Sequence, residues 1–213
     1  KLDYTKVQIN AYCQHQGKVI ALFWVIRMNE SFLLSFPIDL LEKIESRLKM
    51  FVIMSDVVIE NVSSLFSQIG LINESSQNEF RINDNLALLI EDSINHTAEL
   101  PQNEIAWNKA CFDSCLPEIY IKTSEKLVPQ MLNLDIDEIG VNFSKGCYPG
   151  QEVVARLHYL GSAKRRLFSF KANYEMQVGD ALYCATSKTA LARGNRYKGS
   201  GMVVSKVKYN SLF

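Results

Sequence analysis

The chain reads as an α+β protein that ends in a small all-β module. Three observations predict this. Strand-type patterns come in runs with one amphipathic helix between them, rather than alternating with helices as a doubly wound fold requires. From Leu167 onwards the texture changes to short β-type segments, divided by turns such as Val178-Gly179-Asp180 and Lys198-Gly199-Ser200-Gly201. The 213 residues are 47% hydrophobic and 22% charged, enough to bury a core in one or two domains and outside the disordered, collagen-like and coiled-coil classes.

Val7, Ile9, Ala11 and Cys13 alternate with polar or aromatic neighbours, the period of a half-buried strand. His15-Gln16-Gly17 makes a turn, and the unbroken apolar run from Val19 to Ile26 reads as a central strand. A third strand over 32–36 completes a meander. Pro37 then opens a helix with Leu40, Leu41, Ile44 and Leu48 on one face. Residues 51–54 and 57–59 have strand character, 62–69 fit a short helix, 73–78 a loop and 86–90 a strand. Pro101 suits a first helical turn, and Trp107, Ala110, Cys111 and Cys115 follow helical spacing up to Pro117. Strands are expected at 167–170, 181–184 and 202–207, with the domain boundary at 161–166: an α+β region over 1–160 and a β module, a barrel, over 161–213.

The 23 basic and 23 acidic residues cancel, which argues against bulk electrostatic binding to nucleic acid or membrane while leaving room for a local patch. The five cysteines, Cys13, Cys111, Cys115, Cys147 and Cys184, are odd in number and lack Cys-x-x-Cys spacing. Free thiols in a reducing, cytoplasmic setting are therefore expected, with no disulfide framework and no zinc knuckle. No apolar run approaches the ~20 residues of a membrane helix, so no membrane association is expected. The opening Lys-Leu-Asp-Tyr-Thr-Lys is not a signal peptide, and the missing initiator Met suggests a fragment or a trimmed chain.

The most informative stretch is Lys145-Gly146-Cys147-Tyr148-Pro149-Gly150-Gln151-Glu152. Downstream, Val153, Val154, Leu157 and Leu160 follow helical spacing and Gly161 is a natural stop. Pro149 lies where a helix starts and Glu152 in its first turn. Cys147 should therefore occupy the loop entering a helix N-terminus, where the helix dipole and the Lys145 ammonium favour a thiolate. Gly146 and Gly150 would permit positive φ or close approach of a ligand. On spacing alone, Cys147 also reads as a buried turn residue.

Lys-Gly-Cys-Tyr-x-Gly-Gln-Glu resembles the signature of the YgfZ family of folate-binding proteins, a branch of the glycine-cleavage T-protein superfamily. Pro129-Gln130-x-x-Asn133-Leu134, Val153-Val154-Ala155-Arg156 with Gly161 and Lys164-Arg165-Arg166, and Ala11-Tyr12-Cys13-x-x-x-Gly17-Lys18 extend the resemblance over residues 1 to about 210. The resemblance implies two ferredoxin-like antiparallel α/β subdomains and a C-terminal β-barrel in a ring. It also implies several dozen residues ahead of the present start and a longer C-terminal module. Its expected cofactor is tetrahydrofolate or another folate. Its expected role is support of iron–sulfur cluster assembly or repair, and through client enzymes and assembly proteins of tRNA methylthiolation, without direct nucleic-acid binding. Carried onto this chain, Cys147 is the reactive residue, and Lys145, Gly146, Tyr148, Gly150, Gln151, Glu152 and Arg156 shape the folate site.

Two alternatives stay open. One is a folate-binding scaffold without thiol chemistry. The other is aminomethyl transfer, which needs a carboxylate at the folate nitrogen; the corresponding positions here are the apolar Ala21 and Leu22. Cys111 and Cys115, one helical turn apart, read as small residues facing the core. His15, His96 and His158 have no metal-ligand spacing among themselves, and no metal site is expected. Trp24 and Trp107 read as core. Lys164-Arg165-Arg166 is a solvated loop or a contact for a folate polyglutamate tail.

Overall fold

A computed structural model describes residues 3–93, 103–136, 139–171, 177–184, 187–194 and 200–206. His96, Pro101, the 198–199 turn and Val207 lie outside them.

The first sheet is an antiparallel meander, β1 (Gln8–Cys13), β2 (Val19–Arg27) and β3 (Phe32–Ser35), in that spatial order. Every residue of β2 from Val19 to Ile26 is buried, which is why its sequence runs apolar without alternating. A 3-10 turn at Ile38–Leu40 leads into α1 (Leu41–Lys49); the turn buries Leu40 and the helix buries Ile44, both in the apolar cluster that includes β2. Lys43 ties the helix to the 120–125 turn, donating to Ser124 Oγ at 3.0 Å and pairing with Glu125 at 3.3 Å.

Two expectations fail in the next stretch. Residues 52–54 form a 3-10 turn and 57–59 are irregular. Neither segment pairs with a strand among the described residues, and Ile53 and Val58 are 85% and 81% exposed. The helix expected over 62–69 is replaced by β4 (Phe66–Ile72), which pairs antiparallel with β6 (Leu86–Asp92), itself paired with the short β5 (Phe80–Arg81). The helical spacing of Val62, Leu65, Phe66 and Ile69 is overridden by this ladder, in which Ile69 faces Leu89 and Leu71 faces Ala87.

The helix α2 (Glu104–Asp113) starts at Asn103, whose side chain accepts the Ala106 N–H at 3.0 Å. It ends before Cys115, which is exposed with φ +52°. The helical spacing that placed Cys115 in the core therefore overshot, while Cys111 does pack on the core. Both tryptophans are core residues as expected: Trp107 meets the buried Trp24 edge-on at 6.2 Å.

After a 3-10 turn at Pro129–Leu132 come α3 (Gln151–Tyr159) and a third antiparallel sheet, this one of four strands. Its strands are β7 (Arg165–Lys171), β8 (Val178–Cys184), β9 (Ser187–Gly194) and β10 (Ser200–Lys206), in the order β7-β10-β9-β8. The strand β9 is additional to the three expected there. One continuous apolar cluster joins β2, α1, Leu88, Ile119, Leu127, Leu132, Leu134, Val141, Val154 of α3 and Leu167 of β7. No helix among the described residues is long and apolar enough to cross a membrane.

Gly70 in β4 lies directly under the Trp107 ring, where an added Cβ would fall 2.2 Å from Cε3. Gly70→Ala should therefore destabilise the protein by about 1–3 kcal/mol through overpacking, read as a lower urea midpoint with an unchanged slope.

Candidate functional site

The loop that carries Cys147 is fixed at both ends by its own sequence. At its start, the Asn142 side chain accepts the Ser144 and Lys145 N–H groups, each at 2.8 Å, a local turn typical of Asn. At its end, Gln151 clamps Tyr148 twice: its N–H donates to the Tyr148 carbonyl at 3.1 Å, and its Oε1 accepts the Tyr148 N–H at 3.3 Å. Gly150 caps α3 with φ +82°, a conformation glycine adopts without penalty. The helix thus begins at Gln151, two residues later than Pro149 suggested.

The β1–β2 turn docks against this helix start. A Cβ on Gly150 would lie 2.3 Å from the Gln14 carbonyl oxygen and 2.7 Å from the Gly17 nitrogen. A Cβ on Gly17, itself at φ +74°, would lie 3.0 Å from the Val153 Cβ. Backbone meets backbone here, and a side chain fits on neither glycine. Gly146 differs: nothing lies within 4 Å of where its Cβ would be, and its φ is not positive.

Cys147 is exposed, so the buried-turn reading fails. Lys145 is exposed and holds its ammonium 4.9 Å from the centroid of the half-buried Tyr148 ring. Beneath the loop lies a second thiol, Cys13, at the end of β1. Burial pushes its pKa up to about 12, partly opposed by the Lys145 ammonium. Burial likewise raises Tyr148, with Cys13 as a smaller cause. The sequence pattern does not by itself assign Cys13 to the site; its place one residue before the β1–β2 turn is the signal that marks it.

Along α3, Val154 is buried, while Glu152, Val153, Arg156 and Leu160 are exposed, so the apolar face expected from Val153, Val154, Leu157 and Leu160 narrows mainly to Val154. The helix is held instead through polar contacts. Gln130 Nε2 donates to the Val154 carbonyl at 2.7 Å. Arg166 donates to the Gln130 carbonyl at 2.9 Å and grips Asp135 with two nitrogens at 2.5 and 3.0 Å. Asn133 Nδ2 donates to the Leu167 carbonyl at 3.0 Å. Arg166 is thereby committed to the fold and withdrawn from the solvated loop or ligand contact expected of 164–166. His158 is exposed and stacks on Phe143 at 3.8 Å. No three potential metal ligands converge among the described residues.

The site makes two measurable demands. Gly150→Ala combines backbone strain of about 1–2 kcal/mol with a clash against Gln14, so it should lower stability by more than Gly146→Ala, which meets open space; urea unfolding of the pair checks the order. Cys13 should resist iodoacetamide in the folded protein and react on unfolding, whereas the exposed Cys115 and Cys147 are alkylated in the folded state, as peptide mass mapping would read. Because the folded pKa of Cys13 lies above its unfolded value of 9.0, its stabilising effect is complete below pH 9 and is lost as pH rises towards 12.

No protein-family model matches the chain. An uncharacterised protein of Haemophilus influenzae is 33% identical over 179 residues, covering 80% of this chain and 62% of that protein. The tRNA-modifying protein YgfZ of Colwellia psychrerythraea is 32% identical over 198 residues, 78% of this chain and 60% of its own length. Its namesake in Aliivibrio fischeri is 22% identical over 232 residues, covering 98% of this chain and 71% of that protein. The chain spans about 60% of the length of the first two of these relatives. With relatives of that name matching nearly its whole length, and with the Lys145–Glu152 motif intact, the chain belongs to the YgfZ family.

Proposed function

We propose that this chain binds a folate and supports iron–sulfur cluster assembly or repair, and thereby tRNA modification, with Cys147 as the thiol that meets the client's iron or sulfur. The observation that carries the reading is the presentation of Cys147. It is exposed on a loop braced by Asn142 at one end and by Gln151 and the Gly150–Gly17 contact at the other. A sulfur held outward from a fixed loop can reach a partner's cluster, which a buried one cannot. Thiolate also suits iron better than it suits one-carbon transfer. The relatives' printed name, tRNA-modifying protein, supports the outcome.

The residues around the loop fit a folate. The Tyr148 ring offers a face for a flat heterocycle, Lys145 a cation for a glutamate carboxylate, and Gly146 leaves open space beside them. Gly150, Gln151 and Glu152 shape the loop and the helix start, and Arg156 stands one turn further along α3. Aminomethyl transfer is disfavoured because Ala21 and Leu22 are 0% and 1% exposed within the core. On this reading the region up to residue 160 corresponds to the two ferredoxin-like units of a T-protein ring and 161–213 to its barrel. The working compartment is the cytoplasm, and the partners are cluster-dependent enzymes and their assembly proteins.

The test is the level of methylthiolated tRNA in a host lacking its own family member, complemented with the full-length protein. Wild type should restore the modification and Cys147→Ala should not, with both proteins present at equal level. Rescue by both would leave folate-binding scaffold as the function; rescue by neither would remove support for the cluster role.

A further inference from the structure

The exposed side of α3 and the start of β7 carry features the thiol chemistry does not use. Arg156, Tyr159 and Leu160 are spaced i, i+3 and i+4 and so share one side of the chain's helical path. All three are exposed, Tyr159 by 67% and Leu160 by 83%. Tyr159 is braced edge-on by Phe143 at 5.9 Å and by His158 at 4.7 Å, and those two rings stack on each other. The result is a fixed aromatic step at the surface.

Charge in the stretch of chain that carries this step is one-sided. Between Asn142 and Arg165 the charged residues are Lys145, Glu152, Arg156, Lys164 and Arg165, four cations to one carboxylate in a chain of zero net charge. None of the four cations has an ion-pair partner among the described residues. The β7–β10 register also places Lys206 opposite Arg165. An apolar partner would bury the cations uncompensated.

We propose that this strip is an RNA-binding surface, with Lys145, Arg156, Lys164 and Arg165 following the phosphates of a single-stranded or loop segment and Tyr159 stacking one unpaired base. Fixed rings beside a line of cations are what single-stranded nucleic acid uses, because every base offers a π-face. The inference goes beyond the proposed function: it puts RNA on this chain itself and not only on the enzymes it serves, and it is independent of Cys147.

Fluorescence anisotropy of a labelled tRNA anticodon stem-loop tests it with the 213-residue chain. Four single-strand phosphate contacts should give a log–log salt slope of about −3, or about 50-fold weaker binding at ~200 mM than at ~50 mM salt. Lys164→Glu with Arg165→Glu should flatten the slope by about 1.4. Tyr159→Ala should weaken binding about tenfold with the slope unchanged. Thermal melting of each variant beside wild type, with an unchanged midpoint expected, separates lost binding from lost folding. Absence of binding at low salt, affinity indifferent to all three substitutions, or displacement by polyglutamate as effective as by unlabelled RNA would overturn the proposal, the last by showing an acidic polypeptide to be the occupant.

Discussion

The arrangement of this molecule turns on a backbone-to-backbone contact between the β1–β2 turn and the start of α3. Two glycines with positive φ make it possible, Gly17 and Gly150: the Gln14 carbonyl and the Gly17 main chain fill the space at Gly150, and the Val153 side chain and the Gly150 carbonyl fill that at Gly17. Everything characteristic of the motif follows from that closeness. The loop has to leave Asn142, cross the end of β1 and return to Gly150. That path covers Cys13 and leaves Cys147 outside.

The contact alone would not hold α3, which contributes one buried apolar side chain, Val154. A short helix with so little apolar face depends on tertiary support. Gln130 provides it from below, through the Val154 carbonyl, and its own carbonyl passes the connection to Arg166 and Asp135. A bidentate guanidinium–carboxylate pair in a part-buried setting fixes direction as well as distance. The motif helix, the Pro129–Leu132 turn and the first strand of the last sheet are thus one polar chain laid over the apolar cluster that also takes in Leu132, Val154 and Leu167. Gln130 Oε1 and Asn133 Oδ1 are buried and accept no hydrogen bond among the described residues, while the donors of the same amides are placed.

Much of this was legible in the residues, for identifiable reasons. The meander, α1, β6 and α3 carry strong periodicities or caps, and the glycines of the motif announced unusual backbone. What failed is instructive. The spacing of Val62, Leu65, Phe66 and Ile69 fits a helix as well as a strand, and only the pairing with β6 decides it. Ile53 and Val58 look like strand interiors locally, yet no strand among the described residues receives them. Arg166 reads as one of three surface cations until Asp135, 31 residues upstream, claims it. Gln130, contributed from afar, carries no local mark of its role, because a carbonyl contact that exists only in three dimensions sets its position; Cys13 is marked only by its place before the β1–β2 turn.

The separation of the two thiols limits what the loop can do chemically. Cys13, with its pKa near 12, stays protonated throughout the physiological range, so it serves packing and cannot share a negative charge with a ligand. The nearby Lys145 ammonium is consequently not neutralised from below, and its one close partner among the described groups is the face of Tyr148. That interaction is weak at an exposed site, on the order of 0.5–1 kcal/mol. An arriving anion can take the lysine away at little cost and leave the ring free for a flat molecule. The long-range field of an exposed ammonium is screened beyond about 8 Å at physiological salt. Attraction and stacking must therefore act together at contact distance, which favours ligands that carry both a charge and an aromatic plane.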